Sequence, residues 1–224
     1  MLNSTNRAFS SGKAYTSEQF QKKCTMQDSA DCYPAMPSFT VTEQGVEKLL
    51  TNLNPNKASG PDGISPSVLK ELAPDIAPIL ASLYCRPLAT GEVPSDWREG
   101  TVTPVYKKGE RYDPANYHPV SLTSVPCKIL EHIIVSHLMQ HLQGNTILSN
   151  QQHGFCKNYS CKTQLLEFLD ELTTHVEMGQ QTDVVVMDFA KAFNKVNHSL
   201  LLHKLHHYGV RDTLNQWICS FLTN

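Results

Sequence analysis

An unbroken apolar run, Val184 to Met187, leads directly into an aspartate, Asp188. Three of its four residues are valines, whose branched side chains favour strands, and such runs are typical of strands buried on both faces. The run therefore predicts a short buried strand over residues 182–188. A carboxylate at the end of a buried strand must be hydrogen-bonded, protonated or bound to a metal, because an unpaired buried charge is very unfavourable. Asp188 is thus either a metal ligand or a cap for the turn that follows.

Helical periodicity begins near Thr40 and occupies most of the remaining chain, so the expected fold is helix-rich. Thr40 and Glu43 fit a capping box that begins the first helix. Ser65 followed by Pro66 begins the second helix, and Gly91 ends the third. Further helices are expected over residues 125–142, 163–177, 198–208 and from about 212 onward. Residues 101–106 predict one strand, in which a proline suits an edge position.

Breaker-rich segments separate these elements. Residues 54–63 contain Gly-Pro and Asp-Gly turns, and residues 107–111 form a charged loop. Residues 1–38 are rich in Ser, Thr, Gln, Asn and Lys and have no helical or strand period. This composition indicates a polar tail or linker ahead of the folded part.

The charge balance and the absence of long apolar runs exclude several classes of protein. Lys and Arg total 19 against 21 Asp and Glu, a net charge of −2. A uniformly basic coat for nucleic acid is therefore excluded, whereas a local basic groove is not. No apolar run reaches about 18 residues, and the polar start lacks the apolar core of a signal peptide. We expect a nuclear or cytoplasmic chain that is not secreted and has no membrane partner.

Seven cysteines are scattered along the chain at irregular spacing. The odd number favours reduced thiols and predicts no disulfide partners. His153, Cys156 and Cys161 form the closest grouping of residue types that bind zinc. Zinc sites typically use Cys-x-x-Cys pairs, and this sequence contains none. The spacing favours ordinary reduced cysteines beside a loop over a zinc site.

Four segments in order carry a family resemblance. Asp188-Phe-Ala-Lys-Ala-Phe resembles the first palm motif of reverse transcriptases from non-LTR (LINE-type) retrotransposons. Asn56-Lys-Ala-Ser-Gly-Pro-Asp-Gly is similar to the motif that precedes their fingers. Residues 97–109 with Asn116-Tyr-His-Pro-Val-Ser-Leu resemble the first fingers motif, and Gln152-His-Gly-Phe through Ser160 resembles the second. One such match alone would be weak, but four in the family's order are specific.

The resemblance implies an α+β fold, the fingers of a right-hand polymerase with a partial palm. It places a fingers-like region at residues 39–170, after the tail at 1–38, and the start of the palm at 171–224. The family's Tyr-x-Asp-Asp hairpin and thumb follow these motifs, and no adjacent Asp-Asp pair occurs in the 224 residues. We therefore expect a chain truncated before that hairpin and inactive alone. A palm strand without its neighbours predicts a poorly soluble or partly molten C-terminal third.

The implied chemistry is nucleotidyl transfer with two Mg²⁺ ions, an RNA template, a DNA primer and deoxynucleoside triphosphates. Asp188 matches the family's first metal-binding and catalytic aspartate, and the carbonyl of Phe189 would be a further metal ligand. Phe193 matches the bulky residue under the incoming sugar, where its ring would collide with a ribose 2′-hydroxyl. From the residues alone, core packing is the simpler interpretation of Phe193. One carboxylate cannot hold two Mg²⁺ ions, so stable binding by this chain is not expected.

Basic and polar loop residues complete the implied site. Lys107 matches the fingers lysine that holds the triphosphate, and His118 belongs to the same nucleotide-binding region. Lys57 and Asp62 would lie beside the template. The alternatives are a solvated charge for Lys107 and a plain surface turn for Lys57.

Three residues depart from the family pattern. His118 and Cys156 stand where arginine is usual, and Asn194 stands where aspartate is usual. A mostly neutral imidazole cannot make the bidentate contact of arginine with phosphate. These losses are typical of a decayed element.

Two other functions remain open at this stage. The first is a non-catalytic nucleic-acid-binding remnant or domesticated protein, whose basic groove would comprise Lys57, Lys107, Lys108, Arg111, Lys157 and Lys162. The second is a helical interaction module without a nucleic-acid role. The second requires the order of the four motifs to be chance.

Overall fold

The computed structural model describes residues 9–10, 13–14, 33–189 and 192–223. Most of the tail predicted for residues 1–38 lies outside this range. The chain divides into a large unit, Tyr33–Gly144 with Asn197–Asn224, and a small unit, Met1–Cys32 with Asn145–Val196. The large unit is therefore built from two stretches of chain that are separated by part of the small unit.

The small unit contains two very short strands and one long helix among its described residues. Strand β1 (Phe9–Ser10) pairs antiparallel with β2 (Lys13–Ala14). Within the large unit, the elements before residue 145 are helices α1 (Glu43–Thr51), α2 (Pro66–Glu71), α3 (Ala73–Thr90) and α4 (Ser95–Arg98), strands β3 (Thr101–Tyr106) and β4 (Tyr117–Leu122), and helix α5 (Val125–Gly144). Helix α6 (Cys161–Glu177) belongs to the small unit, and helices α7 (His198–His207) and α8 (Asp212–Leu222) complete the large unit.

Local sequence signals set most of the helix ends. Ser65 caps α2 with Pro66 in its first turn, and Gly91 ends α3 in the left-handed conformation at φ 72°, so both predictions are confirmed. The prediction that Thr40 begins α1 is wrong. Thr42 is the cap, because its extended backbone lets Oγ1 accept a 3.2 Å hydrogen bond from the Gly45 N–H.

The core of the large unit lies where α1, α3, α5 and α8 meet. Tyr84, Leu50, Leu130 and Val46 are fully buried, and Trp217 of α8 is 3% exposed. The remaining members of the core are Leu69, Ala73, Ala77, Leu80, Ala81, Val93, Val125, Ile129 and Ile134. Burying one such large side chain stabilises the fold by about 1.5–3 kcal/mol, so these positions hold the four helices together.

Strands β3 and β4 form an antiparallel hairpin, in which Thr101 pairs with Leu122 and Tyr106 pairs with Tyr117. The strand expected at residues 101–106 is confirmed, whereas β4 was not predicted. Pro104 faces Pro119 across the ladder, so neither residue can donate a backbone hydrogen bond there. Prolines are tolerated at this position because both strands of a two-stranded sheet are edges.

The buried strand predicted over residues 182–188 is wrong. These residues form no helix or strand, and Val184, Val185, Val186 and Met187 are 49%, 73%, 89% and 69% exposed. A strand requires a neighbour to receive its backbone hydrogen bonds. The part of the chain that the structure describes pairs no strand with this run. Apolar composition alone therefore does not form a strand here.

Helix α6 has no buried residue, and only Thr163, Leu172 and His175 are half-buried. Among the described residues of the small unit, only His153 is buried. None of the described helices is both long and apolar enough to cross a bilayer.

Candidate functional site

The loop between α1 and α2 positions Lys57 and Asp62. The Lys57 side chain is exposed and lines a cavity of about 400 Å³ together with residues of α1 and α5. Asp62 is also exposed, and its Oδ1 accepts a 3.2 Å hydrogen bond from the Ile64 N–H. One carboxylate oxygen of Asp62 therefore fixes the turn, on a side chain that is exposed.

Gly60 holds this loop against the start of α5. A Cβ atom at Gly60 would lie 2.6 Å from the Cα of Ser124 and from the carbonyl oxygen of Thr123. Gly63 has a different role, because its φ of +68° is the left-handed region and open space surrounds its missing side chain. Gly60 is thus required because its backbone lies close to that of Thr123 and Ser124. Gly63 is required because the turn needs a positive φ.

The β3–β4 hairpin positions Lys107 and His118. The Lys107 N–H donates a 2.8 Å hydrogen bond to the carbonyl oxygen of Asn116, which extends the ladder by one step. His118 lies on β4 opposite Val105. Both side chains are exposed, so they are accessible to a ligand.

Three side chains fix the loop that joins β3 to β4, and sequence reasoning missed them. The Tyr106 hydroxyl donates to the Gly109 carbonyl. Asn116 Nδ2 donates to the Glu110 carbonyl at 2.9 Å, and the Tyr117 hydroxyl donates to the Arg111 carbonyl at 2.7 Å. The sequence did show two tyrosines and an asparagine beside a charged loop. Such side chains often form hydrogen bonds with nearby backbone groups, so they could have predicted an ordered loop.

Asp188, Phe189 and Phe193 lie in the small unit and are all exposed. Phe193 is 76% exposed, and its ring meets that of Phe155 edge to face at a centroid distance of 6.1 Å. Core packing is therefore the wrong interpretation of Phe193. The contact brings the second fingers-like motif, which contains Phe155, against the palm-like motif. Ala190 and Lys191 of that motif lie outside the described residues.

His153 belongs to a hydrogen-bonded group at the start of α6. Its Nδ1 lies 2.9 Å from Thr163 Oγ1, and its Nε2 lies 2.9 Å from Glu167 Oε2. The Tyr159 ring packs edge to face on the imidazole at 4.7 Å. Both ring nitrogens are engaged by these partners, so neither is left free to bind a metal ion.

The described residues do not form a metal site. Within that part of the chain, no group of three or more His, Cys, Asp or Glu side chains is arranged to hold a metal ion. Among these residues, Asp188 therefore has no companion carboxylates of the kind that a two-metal site requires. The five cysteines within the described range, Cys85, Cys127, Cys156, Cys161 and Cys219, are free thiols.

Burial raises the pKa of three groups in the large unit. Desolvation raises the pKa of Tyr84, and it also raises the pKa of Cys127, whose thiol lies beside Glu131. Desolvation raises the pKa of Glu131 as well, although a hydrogen bond from Cys127 Sγ at 3.3 Å opposes the shift. The Cys127 thiol therefore stays protonated and unreactive at neutral pH.

The predicted site residues thus fall into two sets. Lys57, Asp62, Lys107 and His118 belong to the large unit, whereas Asp188, Phe189 and Phe193 belong to the small unit. Of the basic residues considered for a groove, Lys57, Lys107, Lys108 and Arg111 are in the large unit, and Lys157 and Lys162 are in the small unit.

A family model for reverse transcriptase (RNA-dependent DNA polymerase) matches residues 105–224, more than half of the chain. The chain belongs to the reverse transcriptase family. The match begins within β3 of this reverse transcriptase-family chain and covers Lys107, His118 and Asp188. The helix-rich fold with its small two-stranded sheet of β3 and β4 in the matched region is compatible with part of a polymerase.

Relatives from mobile elements support the same assignment. The chain is 24% identical over 191 residues to the probable RNA-directed DNA polymerase from transposon BS of Drosophila melanogaster, covering 85% of the chain and 21% of that protein. It is 25% identical over 171 residues to the RNA-directed DNA polymerase from mobile element jockey of the same species, covering 76% of the chain and 19% of that protein.

A third relative comes from another insect. The retrovirus-related Pol polyprotein from type-1 retrotransposable element R2 of Popillia japonica is 25% identical over 137 residues, which cover 61% of the chain and 19% of the polyprotein. The chain therefore spans about a fifth of the length of these relatives. The resemblance to reverse transcriptases of non-LTR retrotransposons is confirmed.

Proposed function

We propose that this chain supplies the fingers and the first palm motif of an RNA-directed DNA polymerase encoded by a non-LTR retrotransposon. The observation that carries the proposal is the reverse transcriptase match over residues 105–224. The ligands of the complete polymerase would be an RNA template, a DNA primer and deoxynucleoside triphosphates. The same proposal assigns the chain to the nucleus or the cytoplasm.

The β3–β4 hairpin is the proposed contact with the incoming triphosphate. Lys107 follows β3 directly, and its exposed ammonium group can act as a point charge for phosphate oxygens. His118 is exposed on the neighbouring strand. An imidazole lacks the planar fork of five donors that arginine has, so the hairpin would hold phosphate less tightly than an arginine-bearing hairpin.

The loop at Lys57 and Asp62 is the proposed contact with the template. Gly60 anchors the loop to the large unit, so the exposed Lys57 ammonium is carried on a fixed backbone. A positive side chain on a rigid loop suits contact with a phosphate backbone, which positions nucleic acid without reading its sequence.

Polymerases of this family depend on a divalent metal, and we propose Mg²⁺ for the complete enzyme. Asp188 would be one of its ligands, and the carbonyl of Phe189 would be another. The described residues do not supply a full ligand set, so we expect no stable Mg²⁺ binding and no polymerisation by the 224-residue chain alone. Phe193 would lie under the sugar of the nucleotide, where its exposed ring is available for contact.

A second candidate is a nucleic-acid-binding protein without catalysis. The exposure of Asp188 at the end of an unpaired segment favours it, because a catalytic carboxylate needs a fixed position. This candidate predicts binding that weakens as salt rises, with no dependence on Asp188.

Primer extension and binding assays on the purified 224-residue chain test the proposal. The substrate is an RNA template annealed to a fluorescent DNA primer with a recessed 3′ end. We expect salt-dependent binding in anisotropy measurements, weakened by Lys57→Gln and by Lys107→Gln, and no primer extension with Mg²⁺. Lys48→Gln is the matched control, because Lys48 is an exposed lysine of α1 outside both loops.

The outcomes separate the two candidates. A preference for the recessed 3′ end over single strands, strengthened by deoxynucleoside triphosphates and lost in Lys107→Gln, supports the polymerase assignment. Binding that shows no preference for the recessed 3′ end and no effect of deoxynucleoside triphosphates supports the non-catalytic candidate. Primer extension that Asp188→Asn abolishes would overturn the expectation of inactivity, and the absence of any binding at low salt would contradict both candidates.

A further inference from the structure

The cavity of about 400 Å³ in the large unit has aliphatic walls. These walls are formed by Leu49, Leu53, Pro66, Val125 and Ile129. Three of the five are buried and the two leucines are half-buried. Among the residues that the structure describes, no Phe, Tyr or Trp lines this cavity. The volume falls within the range of small-molecule sites, about 300–1,000 Å³, and the walls suit an aliphatic chain rather than a stacked base.

The mouth of the cavity is positively charged. Lys57 on the loop and Lys128 on α5 both line it, and both side chains are exposed. Within the described part of the chain, no Asp or Glu lines the cavity and none forms an ion pair with either ammonium group. The charge of Lys128 also reaches Glu131, but that carboxyl is hydrogen-bonded to Cys127. The cavity therefore presents two positive charges that no lining carboxylate offsets.

Two further polar side chains line the cavity. Asn54 Oδ1 accepts a 3.0 Å hydrogen bond from the Asn56 N–H, and no described residue accepts a hydrogen bond from Asn54 Nδ2. His132 is exposed and lies four residues after Lys128, on the same face of α5. An amide donor and an imidazole beside two ammonium groups can donate to the oxygens of a carboxylate or a phosphate.

The loop that carries Lys57 is fixed before any ligand binds. Lys70 Nζ donates a 3.1 Å hydrogen bond to the Leu53 carbonyl oxygen, and the Lys57 N–H donates to the Asn54 carbonyl oxygen at 3.3 Å. Gly60 holds the same loop against the start of α5, as described above. A site that is already ordered loses less conformational freedom when a ligand binds, which favours affinity.

We propose that this cavity binds a small amphipathic anion, with an aliphatic chain inside the cavity and a carboxylate or phosphate head group at Lys57 and Lys128. Burial of the chain removes apolar surface from water, and the head group meets charge of the opposite sign. The proposal goes beyond the proposed function, because this ligand has neither a base nor a sugar and its binding requires no nucleic acid.

Isothermal titration calorimetry on the full chain tests the site. The probes are hexanoate, octanoate and decanoate, and decyl phosphate supplies the second head group. We expect one molecule to bind per chain, and each added methylene should tighten binding by about fourfold until the cavity is full. Tighter binding of decanoate would identify a fatty acid as the source of the ligand, and tighter binding of decyl phosphate would identify a phosphate ester. Decyltrimethylammonium has the same chain with a positive head group and should bind more weakly than both.

Two variants separate the chain from the head group. Ala58→Phe adds a ring at an exposed position that lines the cavity, and it should weaken decanoate binding by more than about tenfold, the effect of displacing two methylenes. Ala89→Phe is the matched control, because Ala89 is exposed on α3 and does not line the cavity. Lys128→Gln should weaken decanoate binding by about 1.5- to 5-fold, the effect of one exposed ion pair, and Lys48→Gln should leave it unchanged. Lys57 stays intact because it belongs to the proposed template contact.

One-to-one binding that lengthens with the chain in strength and is weakened in Ala58→Phe supports the site. If folded Ala58→Phe binds decanoate as tightly as the unchanged chain does, the site is disproved. Binding of many molecules per chain, or equally tight binding of decyltrimethylammonium, shows nonspecific adsorption and also disproves it. If Ala58→Phe does not fold, an affinity that is independent of chain length, or unchanged in Lys128→Gln, is the contradicting result. The titrations contain no nucleic acid, so their result is independent of the primer–template assay of the proposed function.

Discussion

The hydroxyl of Tyr84 on α3 donates a 2.7 Å hydrogen bond to the carbonyl oxygen of Pro126 in the first turn of α5. Tyr84 is fully buried, and its ring meets Trp97 edge to face at 5.6 Å. The bond therefore joins two core helices at a point that water does not reach.

Tyr84→Phe should lower the free energy of unfolding by about 1 kcal/mol, because the variant keeps the ring and loses one buried hydrogen bond. Urea denaturation followed by circular dichroism measures the change. Tyr112→Phe removes a hydroxyl from an exposed ring and should leave the stability unchanged. Equal stability of Tyr84→Phe and the unchanged chain would contradict the role assigned to the bond.

Gly60→Ala should destabilise the large unit by about 1–3 kcal/mol, the usual cost of overpacking. The added methyl group meets backbone atoms of residues 123 and 124, which cannot turn aside as a flexible side chain would. Gly144→Ala is the control, since open space surrounds Gly144. Thermal melts of both variants measure the difference, and similar melting temperatures would show that the loop does not pack against α5 as described.

Glu131→Gln should stabilise the large unit at pH 7 and have little effect near pH 4. Burial raises the pKa of Glu131 in the folded chain, so folding favours its protonated form. The stability that this group contributes is complete below the pKa of the unfolded chain and is lost as the pH rises through the folded pKa. Glutamine stays neutral across this range and can still accept the hydrogen bond from Cys127.

Urea titrations of Glu131→Gln at several pH values from about 4 to 8, spanning the ordinary glutamate pKa upward, measure this effect. Glu71→Gln is the control, because Glu71 is exposed on α2. A stability difference that is constant with pH would contradict the assignment of the effect to this carboxyl.

Amides of residues 184–187 should exchange with solvent at rates close to those of an unstructured peptide. These residues form no strand ladder and are exposed, and regions with few buried contacts open most readily. Amides around Leu130 in α5 should exchange far more slowly, because Leu130 is fully buried. Hydrogen exchange read by mass spectrometry makes the comparison, and comparable protection of the two segments would show that residues 184–187 are paired in solution.

The helix positions could be predicted from the sequence because residues at the helix ends act locally. A proline after Ser65 and a glycine at position 91 act within a few residues, and the structure uses both. The strand prediction for residues 184–187 is wrong because valines indicate that a segment suits apolar surroundings. They do not indicate that a neighbouring strand is present to receive its backbone hydrogen bonds. Strand β4 was missed because Pro119 interrupts its alternating pattern, although it pairs along its length with β3.

Sequence reasoning placed the candidate residues on loops and element ends, and the structure agrees for Lys107 and Asp62. It could not anticipate that Phe193 packs on Phe155, because those positions are distant in sequence and their contact depends on the fold of the small unit. The fixed loop around Arg111 was also missed, since its order comes from hydrogen bonds between side chains and backbone rather than from a periodic pattern.

The two-part construction of the large unit has a consequence for its synthesis. The Met36 N–H donates to the Gly209 carbonyl at 2.8 Å, and a Cβ atom at Gly209 would lie 2.1 Å from the Pro34 carbonyl oxygen. A growing chain that has just emerged through α5 still lacks this contact and Trp217 of the core. At about 5–20 residues per second, a ribosome needs several more seconds to deliver them. During that interval α1, α3 and α5 present an incomplete apolar surface, so a chaperone that covers it should raise the yield of folded protein.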